Sequence, residues 1–166
     1  HLQQQISART RTEFSLTVTL PTGLNELPNV PLTGTLDRLD FDESGQLLQV
    51  VDYKTGKPKT KRAIVGETVN SDGSYKRQLI FYALLLSLYE DPLFQCRTGV
   101  LSFVESTNQG VKEELFKISD EEIAALKGEI ISSVETLLSG SWLQDPCDEE
   151  ASSYCHLAAK LQNTSR

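Results

Sequence analysis

The chain has 166 residues, 39% hydrophobic and 23% charged, enough for one domain with a real core and too few to hold a nuclease together with a motor. Its net charge of −7 excludes capture of nucleic acid by bulk electrostatics, and no apolar run approaches the ~20 residues that span a bilayer. Three cysteines (Cys96, Cys147, Cys155) at irregular spacing give no disulfide framework, and the start His1-Leu-Gln-Gln-Gln has no signal-peptide pattern, so a cytoplasmic location is expected.

Phe14, Leu16, Val18 and Leu20 alternate with polar residues from Thr12 to Leu20, the period-2 pattern of a half-buried strand. Residues 32–41 and 47–54 read as two more strands, joined by Asp42-Glu-Ser-Gly45, and these should form a hairpin. Residues 55–74 hold Gly, Pro, Lys and Asn without periodicity and read as a long loop. Tyr75 to Tyr89 is apolar nearly all round, which predicts a helix buried on a sheet and ended by Asp91-Pro92.

Residues 96–105 and 111–118 read as a further strand pair. Ser119 and Glu122 make a capping box for a helix whose apolar stripe is Ile123, Leu126, Ile130, Val134, Leu137 and Leu138, stopped by Gly140. The acidic residues beyond Trp142 lead to a weakly helical stretch at 151–161. The order βββ–α–ββ–α predicts an α/β (α+β) fold, a mixed central sheet flanked by helices. One domain over 1–166 is expected, with its core at 12–140 and a tail at 141–166. The start without Met points to a fragment of a larger protein.

Strand geometry puts Leu48, Val50, Asp52 and Lys54 on one face, so a carboxylate and an amine stand side by side at a strand end. If the hairpin closes through residues 42–45, Asp37 faces Val50 and lies diagonal to Asp52 on that face. Two carboxylates that repel one another there are relieved by a hard divalent cation such as Mg²⁺, to which the Tyr53 carbonyl could add a ligand. Phosphate chemistry follows, with Lys54 orienting the attacking water or neutralising developing charge. Asp52-Tyr-Lys54 taken alone also fits a surface ion pair. Seven of the sixteen Lys and Arg residues fall between positions 54 and 77, so this segment is either a solvated loop or a local guide for a polyanion.

Gly34-Thr-Leu-Asp37-Arg38-Leu-Asp40, then Asp52-Tyr-Lys54-Thr-Gly56-Lys57, then Gln78-Leu-Ile-Phe-Tyr82, in this order and spacing, resemble the RecB-type branch of the PD-(D/E)XK nuclease superfamily. The resemblance covers about Thr12 to Tyr89 and implies a restriction-endonuclease-like core. It implies that Asp37 and Asp52, with the Tyr53 carbonyl, hold Mg²⁺ or Mn²⁺, that Lys54 is catalytic, and that Gln78 and Tyr82 are the helix-borne motif. Their spacing of four puts both on one helix face. Arg38 and Asp40 match too, but point to the opposite face, where a structural ion pair or a sheet-to-helix contact is expected.

Lys57, Lys59, Lys61, Arg62, Lys76 and Arg77 are the expected DNA contacts. The implied activity is that of a metal-dependent DNA exonuclease, part of a RecB- or AddB-like helicase–nuclease in double-strand-break repair. Its implied partners are a single-stranded DNA end and a helicase region of the same polypeptide or a partner subunit. The alternative is a catalytically inactive nuclease-fold domain that binds DNA or supports assembly. RecB-type members commonly carry an upstream histidine ligand, for which this chain offers only His1. Some relatives hold an iron–sulfur cluster on four cysteines, which Cys96, Cys147 and Cys155 cannot supply, so no cluster is expected.

Overall fold

The computed structural model describes residues 9–107 and 110–141; His1, Cys147, Cys155 and the expected helical stretch at 151–161 lie outside them. The chain divides into two compact units, His1–Gly128 and Glu129–Arg166. The first unit contains a five-stranded sheet of order β1-β2-β3-β4-β5. Its strands are β1 (Arg9–Pro21), β2 (Asn29–Phe41), β3 (Leu47–Lys54), β4 (Thr98–Thr107) and β5 (Gly110–Lys117).

All neighbours are antiparallel except β3 and β4, so the sheet is mixed and the fold is α/β with flanking helices, as expected. Parallel neighbours need a crossover. Residues between them supply it with a four-residue helix α1 (Lys61–Ile64), the long helix α2 (Ser74–Leu88) and a 3₁₀ turn at Pro92–Phe94. Helix α1 was not expected: Thr60 caps it by accepting from the Ala63 N–H at 3.3 Å, within a segment that has no apolar period.

Helix α2 buries Leu79, Tyr82, Ala83, Leu84, Leu85 and Leu86, as its all-round apolar character requires. It lies so close to the sheet that two strand positions admit no side chain. A Cβ on Gly34 of β2 would sit 2.5 Å from Leu85 Cδ1, and one on Gly99 of β4 would sit 3.0 Å from both Leu79 Cδ atoms. Helix α3 (Asp120–Ser139) begins with the expected capping box: Ser119 Oγ accepts from the Glu122 N–H at 3.2 Å, and Glu122 Oε2 accepts from the Ser119 N–H at 2.9 Å. Of its apolar stripe, Ile123 and Leu126 are buried in the first unit. In the second unit Ile130 and Val134 are half buried while Leu137 and Leu138 are exposed, so burial along the stripe falls off toward the end of the helix.

The hairpin of β2 and β3 has a different register from the one expected. Asp42 Oδ1 accepts from the N–H groups of Ser44 and Gln46, and the Asp42 N–H bonds the Gln46 carbonyl, so Gln46 joins the turn. Phe41 then pairs with Leu47, while Asp40 pairs with Gln49 across a bulge at Leu48. Each step moves the register by one residue and alone would turn β3 over; together they restore its faces. The outcome pairs Leu39 with Val50 and Arg38 with Val51, so the next position opposite Asp37 is Asp52, not Val50. Leu48, expected on the core face with Val50, is the bulged residue and is half exposed.

Another irregularity sits beside Asp37. Along β2 the buried residues change from even positions (Leu32, Leu36) to Leu39, which is fully buried. In β1, Glu13 lies between the partners of Leu36 and Arg38 and has φ +51, the one left-handed non-glycine among the described residues. A side chain costs roughly 1–2 kcal/mol in that conformation, so backbone strain sits in β1 across from Asp37.

Candidate active site

The paired ladder of β2 and β3 ends at Arg38 and Val51, while β3 continues in parallel with β4 as far as Lys54 and Phe103. Where the two strands part, a side chain replaces the ladder: Asp37 Oδ2 accepts from the Tyr53 backbone N–H at 2.8 Å. Asp37 is half buried and Asp52, next to it on β3, is 2% exposed.

Four of the expected residues close a cycle. Lys54 Nζ stands 2.6 Å from Asp52 Oδ2 and donates to Gln78 Oε1 at 2.5 Å. Gln78 Nε2 donates to the Tyr82 hydroxyl at 2.7 Å, which donates to Asp52 Oδ1 at 3.2 Å. The direction of every bond is forced. An ammonium has donors only, so the Gln78 oxygen must face it; the Gln78 amide then donates, and the Tyr82 proton is left for Asp52. Gln78 and Tyr82 are one helical turn apart on α2, and Asp52 and Lys54 are alternate residues of β3, which is how two elements reach one point.

Burial raises the Asp52 carboxyl above its ordinary pKa; hydrogen bonding and charge from Lys54 oppose this, and the charge of Asp37 adds to it. Burial, with the charges of Asp52 and Asp37, also pushes the Tyr82 phenol far up, so Tyr82 remains a donor across the working pH range. Asp52 Oδ2 is buried, with the Lys54 ammonium 2.6 Å away as its charge-assisted partner. The chemistry of two adjacent carboxylates with unused lone pairs suits a hard cation, since Mg²⁺ commonly takes one or two carboxylates and completes its shell with water and phosphate. Among the described residues no group of three or more His, Cys, Asp or Glu side chains comes together.

The opposite face of the same strands is different. Arg38 Nε and Asp40 Oδ1 are 3.1 Å apart, Gln49 Nε2 and Thr10 Oγ1 also donate to Asp40, and Arg38 Nη1 donates to the Tyr53 hydroxyl at 2.9 Å. This is the structural ion pair expected there.

The six basic residues do not form one patch. Lys61 pairs with Glu114 at 3.6 Å, Arg62 with Glu67 at 3.6 Å and Lys76 with Glu122 at 3.2 Å. Lys57 is exposed, and Arg77 is exposed on the first turns of α2. Lys59 alone reaches the site: its Nζ lies 4.2 Å from the centre of the Tyr75 ring, whose centre is also 4.8 Å from Lys54 Nζ. Sequence reasoning missed Tyr75. A signal existed, because Tyr75, Gln78 and Tyr82 stand at i, i+3 and i+7 of one helix and share a face.

A family model described as the PD-(D/E)XK nuclease superfamily matches residues 1–159, a span that includes every residue of this site. No curated protein matches the chain. Among solved structures, the crystal structure of SSO0001 is similar at 15% identity with a TM-score of 0.47; the match covers 78% of this chain and 50% of that one. The chain thus spans half the length of that structure. With the family model matching nearly its whole length, the chain belongs to the PD-(D/E)XK nuclease superfamily.

Proposed function

We propose that the chain is a metal-dependent deoxyribonuclease domain that hydrolyses DNA phosphodiester bonds, of the RecB/AddB type and working as the exonuclease part of a helicase–nuclease in double-strand-break repair. The observation that carries this reading is the cycle of Asp52, Lys54, Gln78 and Tyr82 beside Asp37, which brings two carboxylates and an ammonium to one point where two strands part. The residues from 1 to 166 act as one domain of a longer polypeptide, whose motor or partner subunit delivers a single-stranded end. That delivery accounts for an acidic nuclease with little positive surface.

Asp37 and Asp52, with the Tyr53 carbonyl, hold Mg²⁺ or Mn²⁺. The ion supplies Lewis-acid polarisation of the phosphate and a more acidic water. Lys54, fixed by Asp52 and Gln78, presents its ammonium to the negative charge that develops on the phosphate. Gln78 holds Lys54 by its oxygen, and Tyr82 holds Asp52 by its proton, so neither side chain turns away as charge builds. Asp37 fixes the Tyr53 backbone through its N–H. The test is cleavage of an end-labelled single-stranded oligonucleotide with Mg²⁺ or Mn²⁺ by the wild-type chain and by Asp52→Ala and Lys54→Ala. Loss in both variants is expected, and equal activity in all three removes the reading.

One observation favours an alternative, an inactive nuclease-fold domain: two carboxylates come together without a third metal-ligating side chain among the described residues. Calorimetry with Mn²⁺ separates the two. Binding that disappears in Asp37→Asn supports the nuclease, and the absence of any binding supports the inactive domain.

A further inference from the structure

Lys59 is held more firmly than a loop lysine has reason to be. Its backbone carbonyl accepts from Lys112 Nζ at 2.8 Å, and the next residue, Thr60, caps helix α1. Its ammonium sits 4.2 Å from the centre of the Tyr75 ring. That ring is fixed in turn, at the start of α2, with its centre 6.3 Å from that of the fully buried Phe103. Lys59 has no carboxylate within ion-pair distance among the described residues; Asp72 feels its charge only as a minor influence.

The same ring bears Lys54 Nζ at 4.8 Å, so the two ammoniums are no more than about 9 Å apart around one aromatic ring. Two like charges held that close are mutually unfavourable, and the face of a phenol offsets this only in part. An anion completes the arrangement. Lys54 belongs to the cleavage site, already engaged with Asp52 and Gln78, whereas Lys59 has only the ring. Along a duplex each strand carries one charge per ~3.4 Å of helix axis, so the phosphates of a strand recur on a scale shorter than the largest span of the two ammoniums.

We propose that Lys59, seated on Tyr75, is the subsite for the phosphodiester next to the scissile one in a single DNA strand. The proposal rests on the nuclease reading for what lies at Lys54. Lys59 touches the strand; Tyr75 is a positioning residue that keeps its ammonium aimed and spaces it from Lys54. A bound phosphate lowers the repulsion between the two ammoniums, so the subsite fills most favourably while the strand is in register with the cleavage site. Register, rather than affinity for a free polyanion, is what it supplies.

The experiment uses the full chain and a fluorescent oligo-dT, in two arms. In the first, binding is measured without divalent ion as a function of salt. Loss of one phosphate contact flattens the slope of log K against log salt by about 0.7 for single strands. Lys59→Ala is expected to show that change, Lys59→Arg to keep the wild-type slope, and Tyr75→Leu, which retains apolar packing on Phe103, to weaken binding by a smaller factor. In the other arm, cleavage with Mg²⁺ is expected to show KM raised about tenfold in Lys59→Ala with kcat within about twofold.

An unchanged slope in Lys59→Ala, or no binding of oligo-dT by the wild-type chain, overturns the subsite. Binding that depends on Lys59 in a chain that does not cleave sinks the nuclease reading and leaves the subsite standing. Circular dichroism of each variant identifies a folding failure, in which case Lys59→Gln, which keeps the stem and removes the charge, decides the question by the same slope.

Discussion

Strands β2 and β3 carry two acid–base pairs of the same spacing on opposite faces, Arg38 with Asp40 and Lys54 with Asp52, and the two differ in what surrounds the carboxylate. Asp40 is saturated by Arg38, Gln49 and Thr10. Asp52 is more deeply buried, takes its donors from Tyr82 and Lys54, and has another carboxylate beside it. Two carboxylates side by side repel one another, and the charge of Asp37 adds to the rise of the Asp52 pKa, whereas Arg38, Gln49 and Thr10 all donate to Asp40. The difference lies in the neighbouring charge and not in the residue types.

The comparison breaks if the two pairs respond alike to truncation. Lys54→Ala or Asp52→Ala is expected to lower kcat for oligonucleotide cleavage by about 10³-fold, in the range seen when a charge-stabilising group is removed from a transition state. Arg38→Ala is expected to lower the urea midpoint, by roughly 1–3 kcal/mol in stability, with a much smaller effect on kcat. Comparable losses of kcat in both sets would mean that the opposite face also takes part in the chemistry.

The sequence makes the Lys54–Asp52 pair legible and hides part of why it differs. Period 2 and the order of motifs lead to Asp37, Asp52, Lys54, Gln78 and Tyr82, and all but Asp37 enter one hydrogen-bonded cycle, with Asp37 tied to it through Tyr53. The opposition of Asp37 to Asp52 depends on a turn residue and a bulge, which are tertiary choices that alternation cannot report. In the same way, the basic residues near position 60 form one cluster along the sequence. Glu67, Glu114 and Glu122, distant from several of them in the chain, neutralise three of the six.

A smaller effect sharpens the comparison. Tyr82→Phe removes one bond of the cycle and keeps the ring, so kcat is expected to fall ten- to a hundredfold through loss of positioning while thermal stability changes little. The pH dependence of stability distinguishes the carboxylates. The Asp52 pKa is raised in the fold, so the folded chain binds this proton more tightly than the unfolded chain, and its contribution favours folding at low pH. That contribution is lost as pH rises from the ordinary value of 3.8 through the raised one. In chelator, Asp52→Asn is expected to flatten that decline in urea titrations, and Mn²⁺ to restore stability to the wild-type chain above it. The smallest effect is on the carboxyl itself: Asp37→Asn should lower the Asp52 pKa by removing a neighbouring charge, read by carbon-detected NMR of the carboxyl.

The hairpin between β2 and β3 has a consequence for how this sequence can change length. Gln46 in the turn and Leu48 in the bulge each advance β3 by one residue, and the catalytic face depends on their sum. If either irregularity straightened with its residue retained, Asp52 and Lys54 would move to the side of Arg38, leaving an intact sheet and no site. If both straightened, they would return to the side of Asp37. Deleting Gln46 or Leu48 instead removes the extra residue together with its irregularity and keeps Asp37 opposite Asp52, so a change of one residue in length is tolerated where the turn or the bulge absorbs it.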